Sequence, residues 1–201
     1  MIWFLSMVVI VSLSGVMMPG PVFAACVVKG YRDSSAGLKI ALGHALVEIP
    51  VIILLVFGLK YVINNRVLLI VIGVAGGIVL VYMGLSMVRF KSVTDEDREY
   101  MPYNSLAMGL MTTAANPYFY VWWATVGAAL IAQALGFPAW FVAVFMVFHL
   151  LCDFIWDFLV SFAVYRSRKF WTPRVEKIVF AVFGFLLVGF GIRFVLSPFI
   201  S

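Results

Sequence analysis

Six long apolar runs constrain this chain more than any other feature of its sequence. A helix needs about 20 apolar residues to cross the hydrocarbon core of a bilayer. Open strands are excluded at that depth because lipid cannot satisfy their unpaired N–H and C=O groups. The sequence therefore predicts an all-α integral membrane protein with transmembrane helices at about residues 2–28, 37–62, 67–89, 105–133, 137–164 and 176–198, six in all.

The composition agrees with a surface that faces lipid. Hydrophobic residues make up 65% of the chain and charged residues only 11%, too few to cover a water-facing surface. Most of the 14 Lys and Arg residues fall in the connections after the first, third and fifth runs. Such basic connections face the cytoplasm, so both termini are predicted outside the cell membrane. The basic residues are thus assigned to loops, and no nucleic-acid partner is predicted.

The two halves of the chain carry the same unusual residues in the same order, which indicates an internal repeat. We predict a single polytopic membrane domain over residues 1–201, with repeat 1 at about 1–90, a cytoplasmic loop at about 91–104 and repeat 2 at about 105–201. Three helices are an odd number, so the second copy must enter the bilayer from the opposite side. This is the inverted-repeat arrangement of many secondary transporters. The matched residues are Pro19 with Pro117, His44 with His149, Glu48 with Asp153, and Arg89 with Arg193.

Each of the two histidines has an acid four residues later, inside an apolar run. His44 pairs in this way with Glu48, and His149 with Asp153, while Asp157 lies one further turn along. Carboxyl groups at this depth are costly unless they are paired or hydrated, so they usually face a bundle interior or a wet cavity. We predict that all five residues take part in proton coupling. The alternative is that the pairs are neutralised and only hold helices together.

Proline breaks the first and the fourth run, and both breaks are candidate binding elements. A proline inside a helix removes a backbone donor and clashes with the preceding turn. The half-helix that follows presents free N–H groups and a positive dipole end, which suit an anionic group such as a carboxylate. A packing kink is the alternative reading. The predicted substrate-binding residues are Pro19, Gly20, Pro21, Asn116, Pro117 and Tyr118.

These features resemble the LysE/RhtB family of amino-acid exporters over essentially the whole chain. The resemblance rests on Met18-Pro19-Gly20-Pro21 in the first span, Gly37 and Gly43 in the second, the Gly84-to-Phe90 end of the third, and Asn116-Pro117 in the fourth. It implies a secondary transporter that exports an amino acid or similar small solute by proton antiport. No cofactor is predicted, and a homo-oligomer is possible.

The histidine–acid pairs depart from the common pattern of the amino-acid exporters. They leave open a second interpretation of the transported substrate. The wider superfamily also includes cadmium, manganese and nickel transporters. Imidazole and carboxylate ligands suit a transition-metal ion. The alternative prediction is therefore a divalent transition-metal transporter with His44, Glu48, His149 and Asp153 as ligands. An enzyme is not predicted, because no nucleophile–base motif, H-E-x-x-H motif or Gly-rich phosphate loop occurs.

Overall fold

The computed structural model describes residues 1–18, 20–63, 66–89, 103–170 and 172–200. Within these residues the regular structure is helical, as predicted. The helices are α1 (Ile2–Val16), α2 (Pro21–Gly30), α3 (Ala36–Ile63), α4 (Arg66–Val88), α5 (Ser105–Ala114), α6 (Pro117–Trp122), a π-helical turn (Trp123–Gly127), α7 (Ala128–Ala134), α8 (Trp140–Ser167) and α9 (Pro173–Ile200).

The predicted apolar runs correspond to these helices, but the number of clear spans is smaller. Among the described residues, two helical stretches are long and apolar enough to cross a membrane, Ala36–Gly58 in α3 and Trp140–Ser167 in α8. A third is added if α1 and α2, which are bent by 76° relative to each other, form one broken span. The six-span layout therefore remains a prediction. Most of the predicted loop at about 91–104 lies outside the described residues.

The helices are interrupted in the two regions where proline predicts a break. α1 ends at Val16, and α2 begins at Pro21 after Gly20, whose backbone is extended. α5 ends at Ala114, and α6 begins after Asn116, whose side chain accepts a hydrogen bond from the Tyr118 N–H at 3.1 Å. A Pro at the first helical position is favourable because its missing N–H would have no partner there. The π-helical turn in the fourth run was not predicted.

α3 and α8 cross in antiparallel directions at very short range. Near the start of α3, a Cβ on Gly37 would collide with the backbone carbonyl of Asp157 in α8. The Gly37 N–H also donates to Ser161 Oγ at 3.0 Å. Further along α3, Glu48 meets His149, nearer the start of α8. Because the residue numbers rise on one helix as they fall on the other, the two helices run in opposite directions.

α4 and α9 form a second antiparallel pair, in contact through glycine backbones. A Cβ on Gly77 would lie 2.7 Å from the Gly191 carbonyl oxygen, and a Cβ on Gly191 would lie 2.6 Å from that of Gly77. Gly84 and Gly184 meet in the same reciprocal way, at 2.5 and 2.6 Å. Small residues let membrane helices approach this closely. Gly189 faces open space, so it has no such packing role.

The largest apolar cluster of the described residues lies to one side of the α3–α8 crossing. It is built around Ile52 of α3 and Phe145 of α8, with Phe4 and Val8 of α1 and Trp123 of the π-helical turn. Two smaller clusters lie beyond the helix break, around Val27 and Cys26 of α2. The crossing between these apolar regions carries the buried polar residues.

Candidate functional site

A pocket opens between the two helix breaks and the α3–α8 crossing. It encloses about 590 Å³ of empty space, its open mouth included. The charged and titratable residues that line it are His44, Glu48, Tyr118, His149, Asp153 and Asp157.

Two histidines and two acids from α3 and α8 converge on one point of this pocket. His44 Nε2 and His149 Nε2 each lie 3.1 Å from the same atom, Glu48 Oε1. Asp153 lies 3.8 Å from His44 Nε2 through Oδ1 and 3.6 Å from His149 Nε2 through Oδ2. Each histidine therefore faces the acid of its own helix and the acid of the other. We call these four residues the His–acid cluster.

The far side of each imidazole is held by a hydroxyl group from a broken helix. Thr113 of α5 lies 2.8 Å from His44 Nδ1, and Ser12 of α1 lies 2.7 Å from His149 Nδ1. The Thr113 hydroxyl donates its single hydrogen to the Gly109 carbonyl at 2.7 Å. It must therefore accept a hydrogen bond from His44 Nδ1–H. This fixes the proton of a neutral His44 on Nδ1 and directs Nε2 toward the two acids.

The carboxyl groups of the cluster are buried and only partly satisfied. Glu48 is 1% exposed and Asp153 is 4% exposed. Glu48 Oε1 also accepts a hydrogen bond from the Trp123 indole N–H at 3.1 Å. Glu48 Oε2 and Asp153 Oδ2, in contrast, have no hydrogen-bond partner. Buried polar atoms without partners are rare, so their presence marks a place where a ligand, an ion or solvent belongs.

Asp157 lies in the same pocket but outside the His–acid cluster. It is 4% exposed and is contacted by the Cys26 thiol of α2. The aromatic side of the pocket is supplied by two tryptophans. The Trp122 ring stacks on His149 with ring centres 5.3 Å apart, and Trp123 meets the same imidazole edge-on at 4.9 Å.

Three of the six predicted substrate-binding residues line the pocket, namely Gly20, Asn116 and Tyr118. Pro21 and Pro117 begin the helices that follow the breaks and are not among the lining residues, so their part in substrate binding stays a prediction. Their side chains carry no polar group, so their effect is on the course of the backbone. The sixth, Pro19, lies outside the described residues.

The two breaks differ in how their new helix begins. The N-terminus of α6 is capped by the Asn116 side chain, whereas α2 starts at Gly20 without a side-chain cap. Val22 and Phe23, in the first turn of α2, both line the pocket. The first N–H groups of a helix have no partner within the helix. The positive end of the α2 dipole therefore borders the pocket.

Sequence reasoning missed Ser12, Thr113 and Trp123 as members of the site. Ser12 and Thr113 carry a usable signal, since each is a hydroxyl residue within an apolar run shortly before a predicted break. Trp123 carries none, because tryptophans in membrane helices often contact lipid. The π-helical turn that begins at Trp123 sets the direction of its indole.

Comparison with known proteins identifies the family. The model of the LysE type translocator family matches residues 13–198, nearly the whole chain. The chain belongs to the LysE type translocator family. The resemblance drawn from the sequence is confirmed, and this translocator is a membrane transporter of amino acids or other small solutes rather than an enzyme. No curated protein and no solved structure shows significant similarity to it.

Proposed function

We propose that this LysE-type translocator exports an amino acid or a similar small solute across the cell membrane in exchange for protons. The observation that carries the proposal is the His–acid cluster, in which both histidine–acid helices meet in one pocket between two broken helices. Ionisable groups buried at this depth are rare in membrane proteins unless they serve a transport pathway.

The cluster suits proton exchange because its groups are close and share acceptors. Both Nε2 atoms reach Glu48 Oε1, and both lie within 3.8 Å of Asp153. A proton gained or lost by one imidazole therefore changes the charge felt by both acids. Asp157, within the same pocket, provides a further carboxyl group along the path. These five residues are the ones we assign to proton coupling.

The solute site is proposed between the α2 N-terminus and Asp153. The start of α2 offers the positive end of its helix dipole to the carboxylate of the solute. Asp153 Oδ2 accepts no hydrogen bond and offers an acceptor to the ammonium group. Gly20, Asn116 and Tyr118 would then border the solute. A zwitterion fits this arrangement because the pocket supplies one group of each sign.

We also propose that the chain forms two inverted repeats of three spans each, with both termini outside the cell. Two reciprocal sets of contacts support this proposal. Gly77 with Gly191 is matched by Gly84 with Gly184, and the hydroxyl on His44 is matched by a hydroxyl on His149. Each pair relates one half of the chain to the other in the antiparallel sense, as inverted repeats do.

The test is a flux measurement in proteoliposomes with an imposed pH gradient. A panel of amino acids and related amines is loaded, and solute movement and proton movement are followed together. We expect at least one solute to move with a counterflow of protons, and Glu48→Gln to remove the proton-driven part. A matched control is Ser86→Ala, because Ser86 is exposed and bonded only to its own helix, at the Tyr82 carbonyl.

Two results would contradict the proposal. The first is solute movement that is indifferent to the pH gradient, because the proton role would then be absent. The second is unchanged proton-coupled flux in Glu48→Gln, because that variant retains no titratable group at the shared acceptor. A loss of flux in Ser86→Ala as well would show that the assay reports folding and not the cluster.

A further inference from the structure

Three residues of the His–acid cluster are spaced as the ligands of a single metal ion are. His44, Glu48 and Asp153 each offer one ligand atom, and the three atoms lie within 4.8 Å of one another. His44 Nε2 is 3.1 Å from Glu48 Oε1 and 3.8 Å from Asp153 Oδ1. Ligand atoms bound at about 2.1 Å to one tetrahedral ion are about 3.4 Å apart. The observed distances lie on both sides of that value.

His44 is oriented as a metal-binding histidine is. Thr113 accepts the Nδ1–H hydrogen bond, so the neutral ring presents its Nε2 lone pair to the two acids. Imidazole ligands of metals usually donate their other N–H to a fixed acceptor, which sets the ring orientation. Thr113 itself is fully buried and bonded to Gly109, so this support is rigid.

The charge of the site and its carboxyl oxygens without hydrogen bonds also favour a bound metal ion. Glu48 Oε2 and Asp153 Oδ2 are buried and have no hydrogen-bond partner. Two ionised carboxyl groups balance the charge of a divalent cation, which removes the cost of burying them unpaired. His149 borders the group, with Nε2 3.1 Å from Glu48 Oε1 and 3.6 Å from Asp153 Oδ2.

We propose that the cluster is a binding site for one divalent transition-metal ion of the zinc, cobalt or manganese type. His44, Glu48 and Asp153 are its protein ligands, and His149 or solvent completes the coordination. Mixed imidazole and carboxylate ligands favour such ions over magnesium and calcium, which prefer oxygen alone. A bound ion would take the Asp153 oxygens from the solute and block its export. That blockade rests on the proposed function, whereas the binding does not.

The binding is tested on the full chain in detergent, purified with a tag that contains no histidine. Zinc and cobalt(II) are titrated by calorimetry, with magnesium as the reference ion. We expect one zinc or cobalt ion per chain, and Asp153→Asn to weaken binding by at least about tenfold. Asp157→Asn is the matched control, because it makes the same chemical change one helical turn outside the three-ligand group. It should bind zinc as the unmodified chain does.

A spectroscopic measurement on the unmodified chain tests the proposal even if Asp153→Asn fails to fold. X-ray absorption of the zinc-loaded unmodified chain should show at least one imidazole nitrogen together with carboxylate oxygen. The proposal is overturned if zinc and cobalt do not bind, if magnesium binds equally well, if Asp157→Asn weakens binding as much as Asp153→Asn, or if the bound zinc has no imidazole ligand. None of these measurements needs transport, so their failure is distinct from a failure of the proton-coupled flux.

Discussion

α3 and α8 carry the same polar pattern at two positions and differ at the third. α3 presents His44, Glu48 and then Ile52, whereas α8 presents His149, Asp153 and then Asp157 at the same spacing. At the first two positions the helices contribute nearly equivalent groups to one cluster. At the third, an aliphatic side chain on one helix stands where the other has a carboxyl group.

The surroundings of the third position explain the difference. Ile52 is 1% exposed and belongs to the largest apolar cluster, together with Phe145. Asp157 is almost as buried, at 4%, but it lines the pocket and contacts Cys26. The pocket thus extends from the cluster toward Asp157 and not toward Ile52. The two helices thus contribute nearly equivalent groups at the centre of the site but different groups at its two ends. The end at Ile52 is closed by apolar side chains, and the end at Asp157 is polar.

Moving an acid to the apolar end should have the largest effect. Ile52→Asp places a carboxyl group among the side chains of the apolar cluster, with no partner to compensate it. An uncompensated buried charge costs about 3–5 kcal/mol. We expect little monodisperse protein in detergent by size-exclusion chromatography, while Ile52→Leu, which keeps the volume, should elute normally. If Ile52→Asp is as well folded as Ile52→Leu, the apolar end is not closed as described.

Enlarging Gly37 should separate the helices at the polar end. A leucine there would collide with the Asp157 carbonyl, and the strain of such overpacking is about 1–3 kcal/mol. The expected result is a clearly lower melting temperature in detergent. Gly58→Leu is the control on the same helix, because a Cβ on Gly58 meets nothing within 4 Å. Equal melting temperatures for the two variants would contradict the close crossing.

Removing the hydroxyl group that contacts His44 tests whether the two imidazoles of the cluster are held in equivalent ways. Thr113→Val keeps the shape of the side chain but leaves His44 Nδ1–H buried without an acceptor, at a cost of about 1–2 kcal/mol. Ser12→Ala removes the hydroxyl group that lies 2.7 Å from His149 Nδ1. If the two imidazoles are equivalent, the thermal shifts should agree and the pH profile of flux should move in both variants. An effect on stability alone would make both hydroxyls purely structural.

The smallest effect is expected at Asp33, a partly exposed acid in the connection before α3. Burial is the largest single effect and raises the pKa of Asp33, but the hydrogen bonds from Lys39 and Ser35 and the positive charge of Lys39 together outweigh it and hold the pKa below its usual value. A lowered pKa contributes stability above the unfolded value, and this is lost as the pH falls through the folded value. The Lys39 and Asp33 side chains are 56% and 38% exposed, so Lys39→Ala should cost less than about 1 kcal/mol.

That small difference should be present at neutral pH and vanish in acid. Melting curves of Lys39→Ala and the unmodified chain, taken from neutral pH downward, measure it directly. A gap that widens in acid would contradict the sign. Asp33 therefore measures the contribution of a partly exposed acid to stability, whereas Asp157 is an acid buried in the pocket.

Much of this arrangement can be derived from the sequence, and the limits have physical causes. Apolar run length predicts the helices, and proline predicts the breaks, because both depend on local backbone chemistry. The separation of four residues on a helix places His44 beside Glu48. Local spacing cannot show that His149 reaches the Glu48 of another helix, because that contact depends on the crossing permitted by Gly37. The π-helical turn at Trp123 has no signature in the sequence either.

The glycine contacts between α4 and α9 are self-complementary. Gly77 meets Gly191 as Gly184 meets Gly84, so each half of the chain offers the other the same surface that it receives. Such reciprocity is the property of a two-fold interface between identical subunits. If the chain consists of two inverted three-span repeats, as we propose, these contacts place within one molecule an interface that two copies of one repeat would form as a symmetric dimer.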